Sequence, residues 1–152
     1  VRAIHDRHRS QLCRGVDEED WAQVALKVPA VALSDDEVYL ERFLLEEWIA
    51  RRIDNPHVLR PRPQTRTRNS IYLVTEHIEG QTLAQWMIDH PKPDLETVRR
   101  MVEQVAAGLQ AFHHQEMLHQ DLRPENIMID RAGTVKIIDF GSARVAGIDE
   151  LQ

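Results

Sequence analysis

The sequence has 152 residues, 42% of them apolar, with 6 glycines and 7 prolines, which suits a chain that buries a core and excludes a disordered or collagen-like one. Nineteen basic against 25 acidic residues give a net charge of −6, which argues against coating a nucleic acid. The single cysteine, Cys13, can make neither an intrachain disulfide nor a Cys-x-x-Cys site, and charges interrupt every apolar run short of the ~18 residues a membrane helix needs. Composition therefore predicts a soluble chain with no membrane segment and a reducing, cytoplasmic setting.

In chain order, residues 13–20 read as a polar turn containing Gly15. Residues 23–28 alternate as a strand does, with Val24, Leu26 and Val28 on one side and Ala25 and Lys27 on the other, until Pro29 removes a ladder donor. Ser34 with Glu37 forms a capping box for a helix that runs to about Ile53, where Asn55-Pro56 stops it. Residues 60–70 carry four arginines and two prolines without apolar periodicity, and read as an exposed turn. Residues 71–74 form a short apolar run suited to a buried strand, with Gly80 soon after.

From Asp94, a predicted N-cap, to about His114, a long amphipathic helix places Val98, Met101, Val102, Val105, Leu109 and Phe112 on its apolar face. Two short strands at 127–129 and 135–138 follow, joined by Asp130-Arg131-Ala132-Gly133, a hairpin turn composition. Trp21, Trp48 and Trp86 read as packing residues, because no basic stripe accompanies them. Strands and helices are segregated rather than alternating, which predicts an α+β architecture.

The segment richest in chemistry is His119-Gln120-Asp121-Leu122-Arg123-Pro124-Glu125-Asn126, followed by Asp139-Phe140-Gly141. It gathers a carboxylate, a cation and an amide in one loop, and the hairpin returns a second carboxylate to it. Such a set could hold magnesium, which takes one or two protein carboxylates and completes its shell with water and phosphate oxygens. Phe43, Glu46, Ala50 and Ile53 share a helix stripe, so Glu46 is an acid on an apolar face that requires a cation. Its neighbour Glu47, four residues before Arg51, is explained by an exposed ion pair.

These motifs resemble the protein kinase family, in particular its bacterial eukaryotic-like Ser/Thr branch. Ala25-Leu26-Lys27-Val28 resembles the family's lysine strand, residues 119–126 its catalytic loop and Asp139-Phe140-Gly141 its magnesium-binding triplet. The resemblance implies a bilobal fold with a first lobe over 1–75, a connector over 76–80 and the start of a second lobe over 81–152. It implies ATP and Mg2+ as cofactors and transfer of the γ-phosphate to a Ser or Thr hydroxyl of a protein partner. Asp121 becomes the catalytic base, Arg123 a cation near the transferring phosphoryl group, and Lys27, oriented by Glu46, the contact to the α- and β-phosphates. Asn126 and Asp139 become the metal ligands. Ala25, Thr75, the backbone of Glu76 and Ile78, and Met128 surround the base of the nucleotide.

The sequence departs from the family pattern in three ways. Gln120 replaces the Arg that pairs with an activation-loop phosphate, so activity is expected not to need that modification. A Gly-rich loop is expected before Val1, and no Ala-Pro-Glu motif follows Gly141. A partial domain of this kind is expected to be inactive by itself. The form of residues 119–124 also resembles bacterial proteins in which the kinase is fused to a PP2C-type phosphatase. Two rival functions remain open at this point: a small-molecule phosphotransferase of the aminoglycoside or choline type, and a pseudokinase that binds nucleotide without turnover.

Overall fold

A computed structural model describes residues 2–7 by their backbone, and residues 10–30, 36–63 and 70–147 in full. The chain divides into two compact units, one formed by residues 1–51 and 60–77, the other by 52–59 and 78–152. The division falls inside the expected connector, but residues 52–59 group with the second unit. Backbone bonds explain this. Leu59 N–H donates to Ile137 O and Ile137 N–H to His57 O (2.8 and 2.9 Å), while the Asn55 amide reaches Ala107 O.

The first unit is an antiparallel sheet in the order β1-β2-β3-β4: β1 Arg2–Arg7, β2 Ser10–Val16, β3 Gln23–Pro29 and β4 Leu73–Glu76, with helix α1 Glu37–Arg52. Sequence periodicity does not identify β1 and β2. Cys13 to Val16 belong to β2, so the polar turn shrinks to the residues between β2 and β3. There Asp17 N–H donates to Ala22 O and Trp21 N–H to Asp17 O, and Trp21 sits at φ 59° with its side chain 77% exposed. Trp21 is therefore a turn residue, not a packing one. Arg62 ties down the same turn by bonding Asp17 and Asp20. Its own backbone N–H donates to Val74 O and Pro61 bridges Thr75, so the first part of the arginine-rich stretch lies along β4 instead of looping free. The remainder, 64–69, falls outside the described residues.

The apolar run 71–74 is displaced by two positions from the strand observed, because β4 is defined by its partner β3: Lys27 faces Leu73 and Ala25 faces Thr75. Ser34 lies outside the described residues, and α1 starts at Glu37, where Asp36 Oδ1 accepts from Tyr39 N–H at 3.0 Å. Asp36 satisfies that free donor of the first turn.

The second unit pairs β5 Gly80–Thr82, β7 Ile127–Asp130 and β8 Val135–Ile137 in one sheet, and β6 Met117–Leu118 with β9 Arg144–Val145 in another. Helix α2, Leu83–Asp89, is capped by Thr82, and α3, Leu95–His113, by Asp94, whose Oδ1 accepts from Thr97 N–H at 2.8 Å. Met101 and Val105 of α3, with Leu83 and Trp86 of α2, pack on Ile127, Ile129 and Val135. Val102, expected on the apolar face, is 60% exposed. Among the described residues no helix is long and apolar enough to cross a membrane.

Two glycines are demanded by close approach. A Cβ on Gly80 would stand 2.0 Å from Ile129 O, and one on Gly108 would stand 2.9 Å from His57 O and 3.0 Å from Ile137 Cδ1. Backbone atoms cannot yield as a flexible side chain can. Gly80→Ala and Gly108→Ala should each lower stability by about 1–3 kcal/mol, as overpacked cores do, with Gly80→Ala the worse; urea unfolding of each variant measures this.

Candidate active site

Within the first unit, strand pairing aims Lys27 and helix periodicity aims Glu46. Phe43, Glu46, Ile49 and Ala50 are the buried positions of α1, so its inward stripe carries one carboxylate among apolar side chains. Lys27 on β3 answers it: Nζ lies 2.7 Å from Oε1 and 2.6 Å from Oε2 of Glu46, a fork in which both carboxylate oxygens accept. Glu46 is 5% exposed and Lys27 22%, and the ammonium also lies 6.0 Å from the Phe43 ring centre. Glu47 accepts from Arg51 one turn on, at 2.7 Å, with the arginine on the surface. Ala25 is two residues before Lys27 on the same face of β3, and faces the buried Thr75 across the ladder. The Glu76 backbone N–H is already committed to Arg60 O at 3.0 Å, and its carboxylate accepts from Arg60 N–H.

Within the second unit, the loop after β6 is built around a neutral histidine. His119 is 4% exposed, edge-on to Phe112 and Phe140, with ring centres 5.4 and 6.3 Å away. Burial lowers its pKa, and the nearby Asp139 and Asp121 oppose this in part. The Asp121 N–H donates to His119 O at 2.9 Å and also lies 3.3 Å from Nδ1, while the Asp139 backbone beside the ring favours its protonated form. Between them Gln120 takes φ 61°, a left-handed conformation that turns the chain sharply and presents Asp121.

Asn126 closes the loop. It ends a short 3-10 turn, Pro124–Asn126, and is 3% exposed. Its Nδ2 donates to both the backbone O and the Oδ2 of Asp121, each at 2.9 Å. Its backbone O accepts from Ile138 N–H at 3.0 Å, which ties the loop to the residue before Asp139. Asp139 Oδ1 accepts from Gly141 N–H. With the amide hydrogens spent on Asp121, the polar atom of Asn126 left for a ligand is Oδ1, an oxygen of the kind magnesium takes. Among the described residues no three His, Cys, Asp or Glu side chains converge, so a cation here would draw most of its shell from substrate and water.

Arg123 Nε donates to Glu125 at 2.9 Å, both side chains about half exposed. Its pKa is raised by Glu125 first and by Asp121 less. Met128 alternates with buried Ile127 and Ile129 on β7 and is half-buried, as is Ile78. A cavity of about 610 Å3 in this unit, lined by Trp86, His90, Met101 and Ile129 among others, includes none of these residues. Sequence reasoning missed the Phe112–His119–Phe140 cluster as a unit. Its only signal was three aromatic rings at otherwise unrelated positions.

The protein kinase domain family matches residues 8–151. The serine/threonine-protein kinase PknL of Mycobacterium bovis is 36% identical over 135 residues, 89% of this chain and 34% of its own length. PknA of Corynebacterium glutamicum is 33% identical over 82% of the chain and 28% of its own, and PrkC of Bacillus subtilis 30% over 80% and 19%. The chain thus spans about a third or less of the length of these curated relatives. Because the match runs through both units, from the strand before Lys27 to the residues beyond Gly141, the chain belongs to the protein kinase domain family.

Proposed function

We propose that the protein transfers the γ-phosphate of ATP to serine or threonine hydroxyls of a protein substrate. The observation that carries this reading is the pair of hydrogen bonds from Asn126 to Asp121, which fixes a half-buried carboxylate beside an oxygen donor and next to the strand end bearing Asp139. The relatives, named serine/threonine-protein kinases, favour a protein hydroxyl over an amino sugar or choline. Retention of Lys27, Glu46, Asp121, Asn126 and Asp139 favours turnover over nucleotide binding alone.

In this reading Asp121 accepts the hydroxyl proton as the oxygen attacks phosphorus. Its carboxylate is aimed by Asn126, so the acceptor lone pair needs no reorganisation during transfer. Lys27 holds the α- and β-phosphates, and Glu46 keeps its ammonium in one position. Arg123 leaves or shares Glu125 to meet the phosphoryl oxygens with its guanidinium fork. Asn126 Oδ1 and the Asp139 carboxylate would hold Mg2+, which supplies charge neutralisation on the phosphate oxygens when bound. Ala25, Thr75, Met128 and the backbone of Glu76 and Ile78 border the adenine. A cytoplasmic setting and a PP2C-type phosphatase in the same polypeptide extend the proposal, supported by the charge pattern and by the form of residues 119–124.

Asp121→Asn in the full-length protein should cut phosphate transfer to a generic protein substrate by about 10²–10⁴-fold, the range a general base contributes, while fluorescent-nucleotide affinity stays near wild type. Unchanged turnover would defeat the base assignment. Glu46→Gln should lower kcat/KM for ATP, whereas Glu47→Gln should leave it within about twofold, since an exposed ion pair contributes little; steady-state kinetics over an ATP series separates the two. Treatment with a phosphatase before assay should leave activity unchanged, because neutral Gln120 offers an activation-loop phosphate no cation. A collapse of activity after that treatment contradicts the role given to Gln120.

A further inference from the structure

Strand β2 brings an arginine onto the face of the first sheet that carries Lys27. Its pairing with β3 sets Leu12 opposite Lys27 and Arg14 opposite Ala25, and β4 adds Leu73 to the Lys27 row and Thr75 to the Ala25 row. Residues opposite one another across a ladder share a face, as do alternate residues along a strand. These six residues therefore lie on one face. Leu73 and Thr75 are buried there, whereas Arg14 is exposed. The acid of β4, Glu76, lies on the other face, opposite Val24. Among the described residues no hydrogen bond or ion pair engages the Arg14 guanidinium. On β1, Arg2 takes the register position opposite Arg14, and like charges facing across a ladder destabilise it. The Ala25 row thus offers a cation that no carboxylate of its own sheet meets.

We propose that Arg14 binds the nucleotide by laying its guanidinium against the adenine ring, an inference that rests on the ATP reading above. Position along the strand selects the base and not the phosphates. In that reading Lys27 holds the α- and β-phosphates. The Ala25 row stands two residues away along β3, about 7 Å, on the side where β4 runs through Thr75 into Glu76 and the connector whose backbone borders the base. Ala25 has no bulk to keep a flat ring off the strand, and Arg14, on the neighbouring strand, has the length to reach over the same place. A guanidinium is planar, weakly hydrated and stacks on aromatic faces, so it fits a neutral, electron-rich base as well as an anion.

Isothermal titration calorimetry of the full-length protein with ATP, ADP, adenosine and inorganic tripolyphosphate tests this. Arg14→Ala should weaken ATP, ADP and adenosine by one common factor, about three- to tenfold, the range of a partly desolvated cation–π contact, and leave tripolyphosphate binding unchanged. Arg14→Lys, which keeps the charge without the planar face, should fall between wild type and Arg14→Ala. In steady-state kinetics Arg14→Ala should raise KM for ATP by the same factor at unaltered kcat, the signature of a contact made equally in the ground and transition states. Far-UV circular dichroism and melting confirm that each variant is folded. A loss that grows with the number of phosphates, a loss confined to tripolyphosphate, or ATP binding indifferent to Arg14→Ala overturns this inference and leaves the ATP reading standing. A wild type that binds neither ATP nor ADP overturns both.

Discussion

A carboxylate buried to 5% exposure on the inner face of α1 is the constraint around which the first unit is arranged. An ionised acid there costs several kcal/mol in lost hydration unless a cation and hydrogen bonds meet it. Lys27 does both, with an N–H directed at each oxygen. Removing either partner of such a pair costs about 3–5 kcal/mol, most of it the penalty on the group left behind. The requirement propagates outward. The α1 helix must keep the rotation that directs Phe43, Glu46 and Ala50 inward, and β3 must keep the register that sets Lys27 opposite Leu73 and Leu12. A one-residue slip of β3 would turn Lys27 to the opposite face and strand Glu46.

The second unit meets a similar demand with neutral groups. Asp121 stands in a bend that a left-handed Gln120 creates, a conformation that costs about 1–3 kcal/mol for a residue with a side chain. The bend persists because its surroundings determine it twice. His119 receives the Asp121 N–H on one side, and Asn126 donates to the Asp121 backbone and carboxylate on the other. Burial among Phe112 and Phe140 fixes the His119 ring beside that N–H and favours its neutral form. The aromatic packing and the aim of the carboxylate are thus one arrangement.

How much of this was legible in the sequence depends on whether the signal was local. Glu46 was legible because an acid at spacing three and four among Phe43, Ala50 and Ile53 contradicts its own stripe. The α3 helix, its Asp94 cap and the hairpin turn at Asp130 were legible because capping and turn chemistry act within a few residues. The strands β1 and β2 were not: Arg2–Arg7 and Ser10–Val16 mix three arginines with small and apolar residues, with no clean period of two, and owe their conformation to the antiparallel ladder that joins them to β3. The displaced start of β4 has the same cause. The contact between Arg123 and Glu125 was hidden because it depends on the path of the 3-10 turn at Pro124–Asn126, which no periodicity in the sequence reports.

That last contact keeps the charges of the loop 119–126 in order. Arg123 stands near enough to Asp121 for the carboxylate to raise its pKa, yet it bonds Glu125 and not the proposed base. If the guanidinium bonded Asp121 directly, it would hold both carboxylate oxygens in its fork and depress the basicity that proton acceptance requires. Glu125 draws the arginine aside, while Asn126, a neutral donor, orients Asp121 without competing for its charge. The cation is thereby kept within reach of an incoming anion and off the base, a separation that a lysine two residues after Asp121 would achieve less firmly, since a flexible ammonium has no planar fork for the Glu125 carboxylate to fix.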